Sequence, residues 1–430
     1  MHDARRAASA MITDQELPGP VSGVQAILVV KLADLGDALL STPALRALRE
    51  SYPQARLDVL TTPVGRQVYE HAGLTDEIIV FEKQTYDTLH RAVFRPAAPL
   101  ALRRDLRERS YDMTVLLHSL TTSYGALKHA ALTLSTGARL RVGLRRPGSW
   151  RGWFLTHWAT DVGFDQRHVL LSGLAVARAA GASPAGTHLS FDPGPEARAE
   201  SQQLMAALAP RVGSMTERGS EGVAAGGRPD VGHARVGRTE NAVGARSMRS
   251  PVVAIHPGSG AYSPARRWSP QSFAAVARGL AADGARIVVL GRAEDDTSAV
   301  AECCDRDVLD LTERTSLPVL AAVLEQVDML VCNDSGVMHV ATAMGTPVVA
   351  VFGPTSQAAW GPWWPGAVAD DADRPGASPH RVVSLSLSCR PCLYVGYDLG
   401  TRMGCPTRDC MAWLPPEAVL QAAREVMISL

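Results

Sequence analysis

The stretch 331–355 constrains this chain more than any other: Val-Cys-Asn-Asp-Ser-Gly-Val-Met-His-Val-Ala-Thr-Ala-Met-Gly-Thr-Pro-Val-Val-Ala-Val-Phe-Gly-Pro-Thr. The mostly apolar run 327–332 is long enough for a buried strand. Residues 333–336 form a turn, in which Asp334 or Ser335 can cap the helix that follows. Val337, Val340, Ala341 and Met344 keep helical spacing, and Gly345 ends the helix. Residues 348–352 then read as a second strand. The whole is a strand-helix-strand unit of a parallel sheet. Its turn aims free backbone N–H groups above the sheet, where a helix start suits a phosphate. The same residues also fit an ordinary α/β crossover with an ordinary cap.

A chain of 430 residues is long enough for two such domains. Lys plus Arg equals Asp plus Glu, at 43 each, whereas a nucleic-acid protein carries a basic excess. No nucleic-acid partner is therefore expected. No apolar run approaches the roughly eighteen residues of a membrane span. The apolar stretch after Arg5 and Arg6 is too short for a signal peptide. Seven cysteines in a chain this long do not read as a secreted disulfide scaffold. A cytoplasmic α/β protein is expected. Residues 1–23 read as a disordered tail. Residues 210–250 are rich in Gly, Arg, Ser and Ala and lack apolar periodicity, which reads as a disordered insertion.

The first half alternates strands and helices. Strands are expected at 26–31, 57–61, 77–81, 111–117 and 140–143. Helices are expected from Asp37 to about Ser51 and over 65–72, 99–109 and 166–181. Gly36 makes a tight turn, and Pro43 is placed in the first turns of its helix. By position alone Asp37 reads as a helix cap. His118 lies in the loop after a strand, at the end of a parallel sheet that faces ligand. It is either incidental or an acceptor contact. Arg139, Arg141, Arg145, Arg146 and Arg151 follow, interleaved with Trp150, Trp153, Phe154 and Trp158. Arginine forks suit phosphate and carboxylate, and tryptophans suit a wet-dry boundary or a sugar face. A solvated loop with a few core aromatics fits as well.

In the second half, the strand at 251–256 leads into a loop holding Gly258, Ser259, Gly260, Arg266 and Arg267. Its glycines let backbone approach a ligand, and its arginines supply fixed positive charge. Ser269-Pro270 starts the next helix. After a strand at 285–290, Glu294 sits where a first-turn carboxylate would offset a helix dipole. Late in the chain, Cys389-x2-Cys392 precedes Cys405 and Cys410. Two such pairs can complete one tetrahedral metal site, with zinc favoured by ligand softness and iron next. With four protein ligands its role would be structural. Four reduced thiols are the alternative.

Several of these stretches together resemble glycosyltransferase family 9, the ADP-heptose heptosyltransferases. They are Leu35-Gly36-Asp37 followed by Thr42-Pro43-Ala44-Leu45, the basic pair before Trp268, Gly291 with Glu294, and Asn333-Asp334-Ser335-Gly336 with Met338-His339. The resemblance implies two Rossmann-like domains facing across a cleft, the glycosyltransferase-B fold. An acceptor domain would span 24–185, a nucleotide-sugar domain 251–414, and a closing helix 415–430 would pack back on the first. It implies inverting transfer of heptose from ADP-heptose to an inner-core lipopolysaccharide, without a catalytic cofactor or metal. Two Asp-x-Asp pairs, at 305–307 and 371–373, are discounted as metal sites. A protein or other glycan acceptor, or nucleotide-sugar binding without transfer, are the alternatives. By the resemblance Asp37 would be the general base and Arg266 would stand where the family usually has Lys. Gly258, Ser259, Arg267, Glu294, Asp334, Ser335, Gly336 and His339 would hold the donor. His118, Arg141 and Arg145 are candidates for the acceptor. A glycolipid acceptor implies peripheral contact with the cytoplasmic face of the inner membrane. Some protein heptosyltransferases of this family carry a cysteine-bound iron.

Overall fold

The computed structural model describes residues 14–82, 97–208, 250–260, 262–303, 308–367 and 378–429. Most of the expected insertion and both Asp-x-Asp pairs lie outside the described residues.

Within them, two six-stranded sheets form, and every pairing is parallel. The first contains β1 (Ala26–Lys31), β2 (Arg56–Thr61), β3 (Glu77–Val80), β4 (Met113–Leu116), β5 (Leu140–Arg145) and β6 (His157–Thr160). The second contains β7 (Val252–His256), β8 (Arg286–Val289), β9 (Val308–Asp310), β10 (Met329–Asn333), β11 (Val348–Val351) and β12 (Arg381–Val383). The spatial orders are β3-β2-β1-β4-β5-β6 and β12-β11-β10-β7-β8-β9. Counted within its own half, the second order is the first one repeated. β1, β7 and β10 are buried along their whole length. Helices cover both faces of each sheet, so its central strands are near-continuous apolar runs rather than alternating ones. In each sheet the order reverses between two neighbours, β1 and β4 or β7 and β10. Ligands bind outside the carboxyl ends of the strands at such a point.

The structure corrects four expectations. Residues 14–23, expected in the disordered tail, are packed. Gln15 bridges Trp158 beside β6, and the Val21 N–H donates to the Tyr52 hydroxyl at 3.2 Å. Gly19 passes so close to Gly181, at φ +78°, that a Cβ there would lie 2.1 Å from the Gly19 carbonyl oxygen. Pro43 lies in the middle of the Leu35–Ser51 helix, not its first turns. Its missing N–H would have bonded the Leu39 carbonyl, and the Thr42 hydroxyl donates there instead, at 2.8 Å. The helix Gly194–Met205 was not expected. It crosses to the second domain, where Arg198 pairs with Glu325 at 2.8 Å. The closing helix, Pro416–Ser429, does not pack back on the first domain. Val419, Ala423 and Val426 are buried in the second core beside Phe273, Val276 and Leu280, and Arg424 pairs with Asp283 at 2.7 Å.

The two domains meet where two helices begin. A Cβ at Gly36, in the first turn of Leu35–Ser51, would lie 2.6 Å from His339 Cδ2 in the Gly336–Ala343 helix. A Cβ at Gly336 would lie 3.0 Å from Leu35 Cβ. A side chain at either position would push its neighbour aside, so glycine suits both approaches. No helix among the described residues is long and apolar enough to cross a membrane.

Candidate active site

An open cleft of about 200 Å³ lies at the first reversal point, outside β1 and β4. Lys31, Asp37, His118, Ser119, Asp161 and Arg167 supply its polar groups, and Phe164, Trp360 and Tyr394 an aromatic wall. Asp34, not Asp37, occupies the cap position of the helix, and its side chain makes no capping bond. Asp37 sits inside the first turn, where the helix dipole favours a carboxylate. Lys31 is buried next to it. Burial pulls the Lys31 pKa down, and the charges of Asp37 and Asp34 push it back up. His118 accepts the Leu32 N–H at Nε2, 2.7 Å away, so its neutral ring carries the proton on Nδ1. Burial raises the Asp161 carboxyl above the usual range, against the pull of the Gly163 N–H, the Ser119 hydroxyl and the charges of Arg146 and Arg167.

The basic segment is used differently from its appearance in the sequence. Arg141 donates to the carbonyls of Phe154 (2.7 Å) and Ala138 (2.8 Å). Arg145 stacks over Trp158, 4.4 Å from the ring centre, and Arg151 donates to the Thr121 carbonyl. These forks brace the loop between β5 and β6. The structure brings His118 to the cleft and leaves Arg141 and Arg145 out of its lining. Trp150 and Trp153 are 51% and 59% exposed.

The second reversal point, outside β7 and β10, is tighter. Asn333 ends β10 and clamps the loop after β7. Its Nδ2 donates to the Pro257 carbonyl (2.6 Å), and its Oδ1 accepts the Trp268 N–H (3.0 Å). Arg266 donates from Nη2 to the Ser259 carbonyl (2.9 Å), and its Nη1 lies 3.4 Å from Asp334 Oδ2. The same Asp334 oxygen accepts the Thr355 hydroxyl at 2.7 Å. Asp334 therefore aims Arg266 rather than capping the helix. Ser335 holds the cap position without a side-chain capping bond. Ser335 Oγ, His339 Nδ1 and Arg266 Nε are buried without a partner among the described residues. Buried polar atoms are nearly always paired, so these three could still be met by a ligand. Burial, with the charges of His168 and Arg266, lowers the His339 pKa to about 3, so its ring is neutral.

Glu294 is exposed. Its neighbour Asp295 is the buried acid. Asp295 accepts the Arg292 N–H (2.9 Å), faces Arg267 Nη2 (3.4 Å) and lies 3.7 Å from His256 Nε2. Burial pushes its carboxyl up, but those groups, His256 foremost, hold it below the usual range. A Cβ at Gly258 would lie 2.3 Å from that carboxylate, so the loop closes on Asp295 only because residue 258 is glycine. Lys31, Asp161, Arg167, Tyr394 and Asp295 went unnoticed in the sequence. Asp161 could have been found from the polar turn at the end of β6, had the aromatic segment before it been read as a strand.

The expected structural metal finds no support in the geometry. Cys389, Cys392, Cys405 and Cys410 are free cysteines. Cys410 is buried, and the charges of Cys392, Cys405 and Cys389 act on it, yet Arg390 acts on it too. Among the described residues no three or more His, Cys, Asp or Glu side chains converge as metal ligands do. A guanidinium beside the thiols suits thiolates without a metal as well as it opposes a bound cation.

A sequence profile of glycosyltransferase family 9 (heptosyltransferase) matches residues 99–383. The chain is 26% identical over 347 residues to lipopolysaccharide heptosyltransferase 2 of Escherichia coli (strain K12), covering 77% of this chain and 83% of that one. The fold resembles a family 9 glycosyl transferase from Veillonella parvula DSM 2008, with a TM-score of 0.64 and 19% identity over 97% of this chain and 100% of that one. It also resembles the E. coli ADP-heptose lipopolysaccharide heptosyltransferase II, with a TM-score of 0.61 and 20% identity over 94% and 99%. The structural likenesses carry the fold. The profile carries the family, although it begins after Asp37 and leaves that residue to be judged on geometry. The profile settles what kind of protein this is: the chain belongs to glycosyltransferase family 9, the heptosyltransferases, and is a transferase.

Proposed function

We propose that this enzyme moves heptose from ADP-heptose to a sugar hydroxyl of inner-core lipopolysaccharide, in one displacement that inverts the anomeric centre. The observation that carries this reading is the abutment of the two helix starts, Gly36 against His339. It brings the helix start that carries Asp37 up to the turn to which this reading assigns the diphosphate. Asp37 accepts the proton of the acceptor hydroxyl as its oxygen attacks the anomeric carbon. The bond to the diphosphate breaks on the opposite face of the sugar.

The departing diphosphate gains negative charge. Arg266, aimed by Asp334, and the free N–H groups at the start of the Gly336–Ala343 helix stabilise it. Charged hydrogen bonds contribute about 1.5–3 kcal/mol each and a helix start about 0.3–2 kcal/mol. Together they do the electrostatic work of a divalent cation, so no metal and no cofactor is needed. Ser259, Arg267 and Glu294 complete the donor side, with the Glu294 carboxylate, free of the Asp295 network, on the ribose hydroxyls. The exposed Trp150 and Trp153 suit the interfacial layer in which a glycolipid acceptor sits, so the protein would work in the cytoplasm at the inner-membrane face. The test is incubation with ADP-heptose and inner-core lipopolysaccharide stripped of its outer sugars, with product mass read by mass spectrometry. A gain of one heptose, unchanged in excess EDTA, is expected. No mass gain across a panel of truncated cores would refute the acceptor class.

A further inference from the structure

The cysteine-rich loop after β12 crosses the seam between the domains, and one of its side chains enters the Asp37 cleft. The loop is anchored on the second domain where the N–H groups of Cys392 and Leu393 both donate to the Pro354 carbonyl, at 2.8 and 2.9 Å. Its tip is a tight turn closed by reciprocal bonds between Val395 and Asp398. That tip grips the first domain. The Phe164 N–H donates to the Gly396 carbonyl (2.8 Å), the Gly396 N–H to Asp165 Oδ1 (3.0 Å), and the Tyr397 hydroxyl to the Asp161 carbonyl (2.6 Å). Arg146 lies 3.8 Å from the centre of the Tyr397 ring. Farther on, Arg402 Nε donates to the Tyr262 carbonyl (2.7 Å), and the Ser263 hydroxyl to the Arg402 carbonyl (2.6 Å), which fixes the loop to the donor side.

Tyr394 lies between these anchors. Its φ is +55°, a conformation costly for an aromatic residue and worth holding only where the side chain must point one way. The ring lines the cleft that contains Asp37. Its centre is 5.4 Å from Phe164 of the first domain, 5.4 Å from Trp360 of the second and 5.8 Å from Tyr262 of the donor loop. Burial and the Tyr262 hydroxyl raise its phenol pKa, and the charges of Arg266 and Asp37 also reach it. The residue therefore stands within electrostatic range of both sides of the proposed displacement. A purely mechanical strap needs only the turn at 395–398; it gives no reason to turn an aromatic ring back into the cleft.

We propose that Tyr394 is an acceptor-binding residue, its ring joining Phe164 and Trp360 as the platform on which the acceptor sugar stacks beside Asp37. An aromatic platform binds the apolar C–H face of a sugar ring and leaves its hydroxyl edge to the polar groups opposite, here Asp37, His118 and Arg167. The platform would choose acceptors by the shape of the ring that carries the attacking hydroxyl. This inference rests on the heptosyl transfer proposed above.

The experiment compares wild type, Tyr394→Ala and Tyr394→Phe in steady-state transfer from ADP-heptose to truncated inner-core lipopolysaccharide. Tyr394→Ala is expected to raise the acceptor KM about tenfold while the donor KM moves less than about twofold. Tyr394→Phe keeps the ring and should keep the acceptor KM. An unmoved acceptor KM in Tyr394→Ala, or equal rises in both KM values, overturns the platform. If Tyr394→Ala fails to fold, Trp360→Leu leaves the turn in place: a raised acceptor KM then supports the platform, and an unchanged one overturns it. Wild-type protein that makes no product refutes the transfer reading itself, an outcome distinct from an active wild type with an indifferent Tyr394.

Discussion

The two sheets share one strand order, yet their reversal points differ in kind. At the second, packing is so close that a Cβ at Gly258 would meet the Asp295 carboxylate at 2.3 Å and one at Gly336 would meet Leu35 at 3.0 Å, and three buried polar atoms lack partners among the described residues. At the first, an open cleft holds carboxylates, cations and an aromatic wall from both domains. Under the transfer proposed above, the tight site of loop backbone would take a fixed group, the nucleotide diphosphate common to every turnover. The wide site of side chains would take the variable partner. The same fold would then carry two tasks, divided by the loops beyond the strands.

The sharpest way to break this comparison is Asp37→Asn. It should keep the fold and the donor KM and lower kcat by about 10²–10⁴, the usual range for loss of a general base. Turnover near wild type would leave Asp37 as a dipole-matched carboxylate and move the chemistry elsewhere. Arg266→Ala acts on the other crevice. Loss of one or two charged hydrogen bonds should reduce kcat/KM by about 10–10², with the acceptor KM little changed. Recovery of activity on adding magnesium to that variant would show that a cation can serve there after all.

Three buried histidines should make stability depend on pH. His168, whose Nε2 lies 3.1 Å from the Gly361 carbonyl across the seam, has its pKa lowered to about 4 by burial. His339 is lowered to about 3, and His380, inside the second domain, to about 4. In the unfolded chain each would titrate near 6.5. The unfolded state therefore binds more protons below that value, so stability is complete above pH ~6.5 and is lost as pH falls toward ~4. The melting temperature should drop steadily across that window, and His168→Gln should flatten part of the slope. A flat profile from about pH 7 to 4.5 would mean the rings are solvated. The smallest effect is expected from Asp161→Asn. Its carboxylate holds the Gly163 turn and the Ser119 hydroxyl rather than a reacting proton, so kcat should change less than about threefold against the losses typical of a base. A loss as large as that of Asp37→Asn would make Asp161 the better base.

Much of this protein was legible from the order of its residues. β1 occupies the residues expected of it, and the turn at Asn333–Gly336 does open a helix, because buried parallel strands and glycine-bounded helices leave local marks in hydrophobicity and turn chemistry. The family could be named from short motifs because the turns and helix starts that carry them are read from consecutive residues. Asp37 could be nominated, but position alone made it a cap. Only the packing of Leu35 and Gly36 against the Gly336 helix brought its helix start up to the turn at Asn333–Gly336.

Side-chain partnership lay beyond the sequence. Arg141 looked like an acceptor fork and proved to bind two nearby carbonyls, because its charge says nothing about which oxygen lies within 3 Å. Glu294 and Asp295 are adjacent, and only the approach of His256 and Gly258 from β7 decides which one is buried. Tyr394 belongs to a loop that reads as a polar, cysteine-bearing spacer, and its place in the cleft depends on anchors at Pro354, Phe164 and Tyr262, from 40 to more than 200 residues away in the chain. Local physics acts between neighbours in the chain and so is written in the sequence. The site is assembled from contacts between distant segments, and those exist only once both sheets have folded and met.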